Sequence, residues 1–160
     1  MNSRGTGERR MSEPKAKTPH GEMTLDQLAE IQPGMAALMK DVGDRYTRTY
    51  YAARGGNWKL AAYELNMVRT SFRHAKVTRP KFSEDLADFD KEFLQPIFIA
   101  IRDGDWKAFL EAFKKGEAGS DTYHDKRGYP HIRYVLPKNP PSNLYQGPPE
   151  QFKREGHGED

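Results

Sequence analysis

The sequence predicts an all-α protein, an up-down four-helix bundle of two similar helical hairpins followed by an extended Pro-rich C-terminal segment. Three observations lead there. Apolar residues recur every three and four positions in separate stretches between Leu25 and Lys115. Glycine followed by Asn or Asp punctuates those stretches, the order expected where one helix ends and another is capped. One turn motif occurs twice, since Arg54-Gly55-Gly56-Asn57-Trp58-Lys59 and Arg102-Asp103-Gly104-Asp105-Trp106-Lys107 lie 48 residues apart and share Arg-x-Gly-Asn/Asp-Trp-Lys. In each copy Gly supplies the left-handed residue, Asn or Asp caps the next helix, and Trp wedges the hairpin. Two such hairpins bury each other's stripes as a bundle; a solenoid generally needs at least three repeats.

Residues 1–23, with Arg9, Arg10, Lys15 and Lys17 among Ser, Gly, Thr and Pro, read as a disordered basic arm. The bundle is assigned to 24–118. Thr24 and Gln27 have capping-box spacing and start a first helix over Leu25 to Ala53, interrupted at Pro33-Gly34. After the break, Met35, Leu38, Met39, Val42, Tyr46, Tyr50 and Ala53 form one apolar stripe. Asn57 caps a second helix, Trp58 to Val77, carried by Ala61, Leu65, Val68, Phe72 and Ala75. Pro80 ends it. Ser83 is the expected cap of a third helix, Glu84 to Arg102, with Leu86, Phe89, Phe93, Ile97 and Ile101 inward and a kink at Pro96. Asp105 caps a fourth, Trp106 to Lys115, with Phe109, Leu110 and Phe113 inward. From Gly119 the composition turns to Tyr, Pro and Gly, so 119–145 is assigned to an extended segment packed along the bundle and 146–160 to a flexible tail.

The 160 residues suffice for one well-buried core and not for two ordinary domains. With 36% hydrophobic and 31% charged residues, the chain has enough apolar surface only if both ends stay outside that core. The absence of cysteine closes off disulfides, thiolate metal sites, thiol nucleophiles and thioether-linked haem. The net charge of +3 spreads over interspersed acids and bases, which argues against nucleic acid as the main partner. No apolar run is long enough for a membrane span or a signal-peptide core. The expected location is therefore cytoplasmic, with the amino end taken as complete from Met1.

No Glu-x-x-His motif supports a di-iron bundle, no Ser or Thr sits in a nucleophile motif, and the glycines form no phosphate loop, so the chain is not expected to be an enzyme. His124 and His131 flank a short segment but supply two ligands where zinc or copper needs three or four, and no metal site is expected. Arg69, Arg73, Lys76, Arg79 and Lys81, with Phe72 and Phe82, read as a solvated basic face before a nucleic-acid patch. Tyr46, Tyr50, Tyr51, Trp58, Tyr63 and Trp106 place more large amphipathic rings near one end of the bundle than sealing a core requires. Ordinary core and rim packing comes first for these rings; in the alternative, a small-molecule pocket, Tyr46, Tyr50, Trp58 and Tyr63 are the lining candidates.

The run Tyr50-Tyr51-Ala52-Ala53-Arg54-Gly55-Gly56-Asn57-Trp58-Lys59-Leu60-Ala61-Ala62-Tyr63 resembles small bacterial cytochrome-like four-helix-bundle proteins, which carry a Gly-Asn-Trp-x-Leu-Ala-Ala-Tyr turn and a Cys-x-x-Cys-His haem motif after the fourth helix. Here Ser120-Asp121-Thr122-Tyr123-His124 stands at that place, then Gly128-Tyr129, Ile132, Tyr134-Val135, Pro137, Pro140-Pro141 and Asn143, so the resemblance spans about Leu25 to Asn143. Both cysteines are missing and His124 remains. The resemblance implies a haem-less relative with no covalent cofactor, acting as a non-catalytic accessory or interaction protein. A protein partner and a homodimer through the first or second helix are expected. The alternative is a bundle that binds a small molecule or non-covalent haem, with His124 as axial ligand. Tyrosine in place of cysteine adds volume, so Tyr123 or the tail around Tyr129 to Tyr134 is expected to fill the haem space.

Overall fold

The structure is a computed structural model and describes residues 14–141, 143 and 145–153. The protein is mostly helical, with one small two-stranded sheet. The chain divides into two compact units, Met1–Pro33 and Gly34–Asp160.

In the first unit, β1 (Lys15–Thr18) pairs antiparallel with β2 (Gly21–Thr24), with Lys15 opposite Thr24 and Thr18 opposite Gly21. The disordered arm expected over 1–23 is thus corrected for its described part. Burial is not what orders this segment: the two strands satisfy each other's backbone groups, Thr18 Oγ1 donates to the Gly21 carbonyl at 2.9 Å, and Gly21 takes the turn at φ +141°. Residues 1–13 lie outside the described residues. The predicted capping box exists, with Gln27 N–H donating to Thr24 Oγ1 and Thr24 N–H to Gln27 Oε1. It starts only a short α1 (Leu25–Glu30), which buries no residue, and the second compact unit begins at Gly34 where the boundary was expected at 24.

In the second unit, α2 (Met35–Arg54) and α3 (Trp58–Thr78) pack along their length, joined by the first Gly-Asn-Trp turn. Asn57 Oδ1 accepts from Leu60 N–H, and Gly56 supplies the left-handed residue at φ +78°. Ala61, Leu65, Val68, Phe72 and Ala75 all lie in the core, as their spacing predicts. Glu64, only 2% exposed, is also drawn in, held by Arg45 Nη1 at 2.9 Å, while Asp41 accepts from Arg45 and Ser71. This polar seam fixes the register of α2 on α3.

A 3₁₀ turn at Pro80–Phe82 leads into α4 (Ser83–Phe89), a π turn at Asp90–Leu94, and α5 (Gln95–Asp103). Ser83 occupies the first helical position, and no side chain caps the helix. Where a kink was expected at Pro96, the helix takes a π turn just before it, in which Gln95 N–H reaches back to the Asp90 carbonyl. The inserted residue also shifts the inward stripe: Leu94 is fully buried and Phe93 only half-buried, whereas an unbroken α-helix would put Phe93 inside.

The largest correction concerns α6 (Trp106–Lys126), which continues through residues assigned above to the extended segment. Gly116 and Gly119, just past the expected helix end at Lys115, serve as packing sockets inside α6. A Cβ on Gly116 would lie 2.4 Å from the Tyr46 hydroxyl, and one on Gly119 would lie 2.5 Å from the Phe93 ring. Each glycine costs about 1 kcal/mol of helix propensity, which close burial of an aromatic ring offsets. Gly128, at φ +82°, ends the helix.

The chain from 129 to 141 has no regular structure and runs along α2, where Tyr134 and Thr47 share a hydroxyl hydrogen bond of 2.9 Å and Tyr51 donates to the Pro137 carbonyl. In the segment assigned to a flexible tail, Gly147 O accepts from Asn57 Nδ2 at 2.9 Å and Pro149–Gln151 forms a 3₁₀ turn. Residues 154–160 lie outside the described residues. The two tryptophans are half-buried: Trp58 packs across onto Gly104 and Phe109, and Trp106 packs across onto Tyr50 while stacking on Phe109 of its own helix.

Candidate functional site: an apolar cavity at the end opposite the tryptophan turns

The tryptophan turns join the end of α2 to the start of α3 and the end of α5 to the start of α6. The opposite end of the second unit therefore gathers the start of α2, the end of α3, α4 and the end of α6. A cavity of about 570 Å³ lies there, within the usual range for small-molecule sites.

Its walls follow from helical spacing. Met35, Met39, Val42 and Tyr46 line it from one face of α2, and Gly116, Ser120, Tyr123 and His124 from one face of α6. Val68 and Phe72 of α3, with Leu86 and Phe89 of α4, form the inner wall, and Tyr129, Ile132 and Tyr134 the outer one. The first half of the predicted α2 stripe is thus only half-buried, because it faces a space and not another helix. The two methionines suit such a wall, since a flexible thioether can adapt to an irregular occupant.

Of the sequence-predicted residues, the structure brings Tyr46 and His124 together on this cavity and leaves the others elsewhere. Tyr50 packs among Tyr51, Trp106 and Phe113, Trp58 sits against Phe109, and Tyr63 is 57% exposed. The residues expected to fill a haem space, Tyr123 and the segment around Tyr129 to Tyr134, lie along this cavity. Tyr123 turns onto Phe89 with ring centres 5.7 Å apart, and the segment around Tyr129 to Tyr134 forms a wall while leaving the interior open.

Polar groups around the space are few and mostly committed. Tyr46 donates its hydroxyl to the Phe113 carbonyl at 2.9 Å and stacks on the Phe113 ring, and burial pushes its pKa well above the ordinary tyrosine value. Burial likewise pushes Tyr134 up to about 12, and it raises the Glu117 carboxyl. Asp85, 7% exposed, accepts from Arg127 Nε and from Lys126 Nζ at 2.8 Å; the Arg127 hydrogen bond holds its carboxyl below the ordinary range. This clamp ties the end of α6 to the start of α4.

Ser120 and His124 lie one turn apart on α6, but Ser120 Oγ donates to the Glu117 carbonyl at 2.8 Å, which takes the hydroxyl away from any base. Nδ1 of His124 is shielded from solvent and meets no hydrogen-bond partner. Among the described residues no three His, Asp or Glu side chains converge as a metal site, and no helix is long and apolar enough to cross a membrane. The basic stretch weighed as a nucleic-acid patch is dispersed: Phe72 is in the core, and Arg69 is bound by Asp90 and Gln95.

Sequence reasoning missed Phe82, Lys81, Arg127 and Glu117 as cavity residues. The available signal was the face Gly116, Ser120, Tyr123, Arg127, spaced four, three and four residues apart, which becomes visible only once the two glycines are accepted inside a helix. No protein-family model, curated protein or solved structure matches the chain, so the cytochrome-like resemblance rests on the residues quoted for it.

Proposed function

We propose that this chain is a non-catalytic ligand-binding protein that holds one small, largely apolar molecule in the cavity between α2, α4 and the C-terminal half of α6. In this reading α2 and α3 form one hairpin and α4 to α6 the other, packed as an up-down four-helix bundle whose tryptophan turns close one end and leave the other hollow. The observation that carries the proposal is the cavity itself: about 570 Å³, walled by Met, Val, Leu, Phe and Tyr side chains. Clefts of this size, lined mainly by apolar and aromatic side chains with a few polar groups, are the usual setting of small-molecule sites. Between the two expectations from sequence, an interaction protein and a small-molecule bundle, the cavity favours the second.

A neutral polarity-sensitive dye such as Nile red tests it. One equivalent should bind with a saturable rise in fluorescence, and Val42→Trp, which pushes an indole into the space, should weaken binding at least tenfold without lowering the melting temperature. Equal binding by both proteins would refute the site.

Non-covalent haem is a second reading, favoured by one observation: His124 lines the cavity and its Nδ1 lacks a partner. His124 would be the axial ligand, and the apolar walls would cover the macrocycle. A Soret shift at one equivalent of added haem that vanishes in His124→Ala supports it; no saturable shift removes it.

A further inference from the structure

The cavity is apolar inside, yet the groups at its edge are not balanced in charge. Arg79, Lys81, Arg127 and Arg133 line it against two carboxylates, Asp85 and Glu117. Arg133 is held by Asp125 at 2.6 Å and lies 3.8 Å from Asp121. Asp85 is satisfied by Lys126 and by the Nε edge of Arg127. Glu117, next to Gly116, acts electrostatically on Tyr46 and Tyr134, and burial shifts it toward the neutral acid.

Two cations then stand out by position. Lys81 Nζ lies 4.9 Å and Arg127 Cζ 5.6 Å from the centre of the same ring, that of Phe82, which itself lines the cavity. Among the described residues Lys81 makes no ion pair, and the terminal nitrogens of Arg127 make no hydrogen bond, so both keep donors for an incoming anion. A lysine ammonium and a guanidinium fork on one ring at the edge of a carbon-lined space match a carboxylate attached to an aliphatic chain.

Resting on the ligand-binding reading above, we propose that the occupant is a single-chain aliphatic carboxylate. Its head group meets Lys81 and Arg127 beside Phe82, and its chain lies along Met35, Met39 and Val42 toward Tyr46. The clamp on Asp85 serves this site as well as the fold: it fixes the Arg127 side chain by one edge and leaves the other edge for the ligand. A neutral chain of equal length gains the same burial and forgoes the charge-assisted hydrogen bonds.

Displacement of Nile red from the full-length protein by decanoate and by decan-1-ol separates the two contributions. Decanoate should compete roughly tenfold more strongly than the alcohol, the factor that one charge-assisted hydrogen bond supplies. The advantage should shrink as salt is raised. Lys81→Gln should cut the decanoate advantage roughly three- to fivefold, as for a partly exposed ion pair, without changing decan-1-ol, and Lys81→Arg should restore it. Lys81 is exposed, so these variants leave the core intact. Equal competition by acid and alcohol, or an unchanged ratio in Lys81→Gln, overturns the head-group assignment while the cavity reading stands. Failure of decanoate to displace bound dye overturns the ligand class, and failure of the dye itself to bind overturns both.

Discussion

Replacing Gly116 with alanine sets helix propensity against packing, and the structure decides the sign. Gly116 lies inside α6, where alanine is worth about 1 kcal/mol more than glycine. The added Cβ, however, would sit 2.4 Å from the Tyr46 hydroxyl, which is hydrogen-bonded to the Phe113 carbonyl. Tyr46 cannot simply swing aside: it is 7% exposed, stacked on Phe113 at 4.1 Å, and met edge-on by Tyr134 at 5.4 Å. Relief requires breaking the hydrogen bond, about 1 kcal/mol, and shifting the ring, about 1–3 kcal/mol for overpacking. Gly116→Ala should therefore destabilise by about 1–3 kcal/mol net. Tyr46→Phe removes the clashing atom, and the next neighbours of that Cβ are at 3.5 and 3.6 Å, which is ordinary contact. In the Tyr46→Phe background, Gly116→Ala should become neutral or stabilising by up to about 1 kcal/mol. Urea unfolding of the four proteins measures the cycle, with unchanged denaturant dependence certifying a common native state. If Gly116→Ala is stabilising with Tyr46 present, or if the two changes are additive, the placement of α6 against α2 is wrong.

Gly55→Ala addresses the C-terminal segment, because φ at Gly55 is an unremarkable −80° but the Cβ would lie 2.4 Å from the Gln146 carbonyl oxygen. It should release residues 145–148, seen as faster proteolysis or amide exchange near Gly147 with little change at α3 or α6; unchanged protection there would contradict the contact. Asp85 predicts a pH dependence: its pKa is lowered in the fold, so its stabilisation is complete above the ordinary carboxylate value near 4 and is lost as pH falls through the lower folded value. Asp85→Asn should cost about 2 kcal/mol at neutral pH, a figure kept modest because Lys126 and Arg127 are partly exposed. The difference from wild type should narrow below about pH 4; a gap that stays constant to pH 2 would show that the clamp is not what the mutation removes.

Much of the helical pattern was legible because it is local. The α3 stripe from Ala61 to Ala75, the Asn57 and Asp105 caps and the Thr24–Gln27 capping box depend on residues within a few positions of each other, and all are present. The errors share a cause, which is that a residue's role was set by something distant in sequence. Gly116 and Gly119 lie inside α6 as sockets for Tyr46 and Phe93, past the helix end expected at Lys115. The π turn before Pro96 exchanged Phe93 for Leu94 as the core residue. The repeat itself conceals another such case: Gly55 and Asp103 hold the same place in the two turns, and the first is glycine because Gln146 passes over it, while the second carries a side chain that pairs with Arg102.

The candidate site was half visible. Tyr46 and His124 were singled out for their chemistry, yet Tyr50 and Trp58, grouped with them, pack among the rings near the tryptophan turns, and Tyr63 is exposed. By itself, sequence determined what periodicity and composition control: a mostly helical chain, where its long helices begin, and the exclusion of any thiol-based chemistry. Only the tertiary structure decided that α6 runs on to Lys126, that its last turns face the start of α2 across an open space, and that Lys81 and Arg127 meet at one phenyl ring. A helical stripe records which residues face inward but not whether another helix or an empty volume lies opposite, because that depends on where distant segments come to rest.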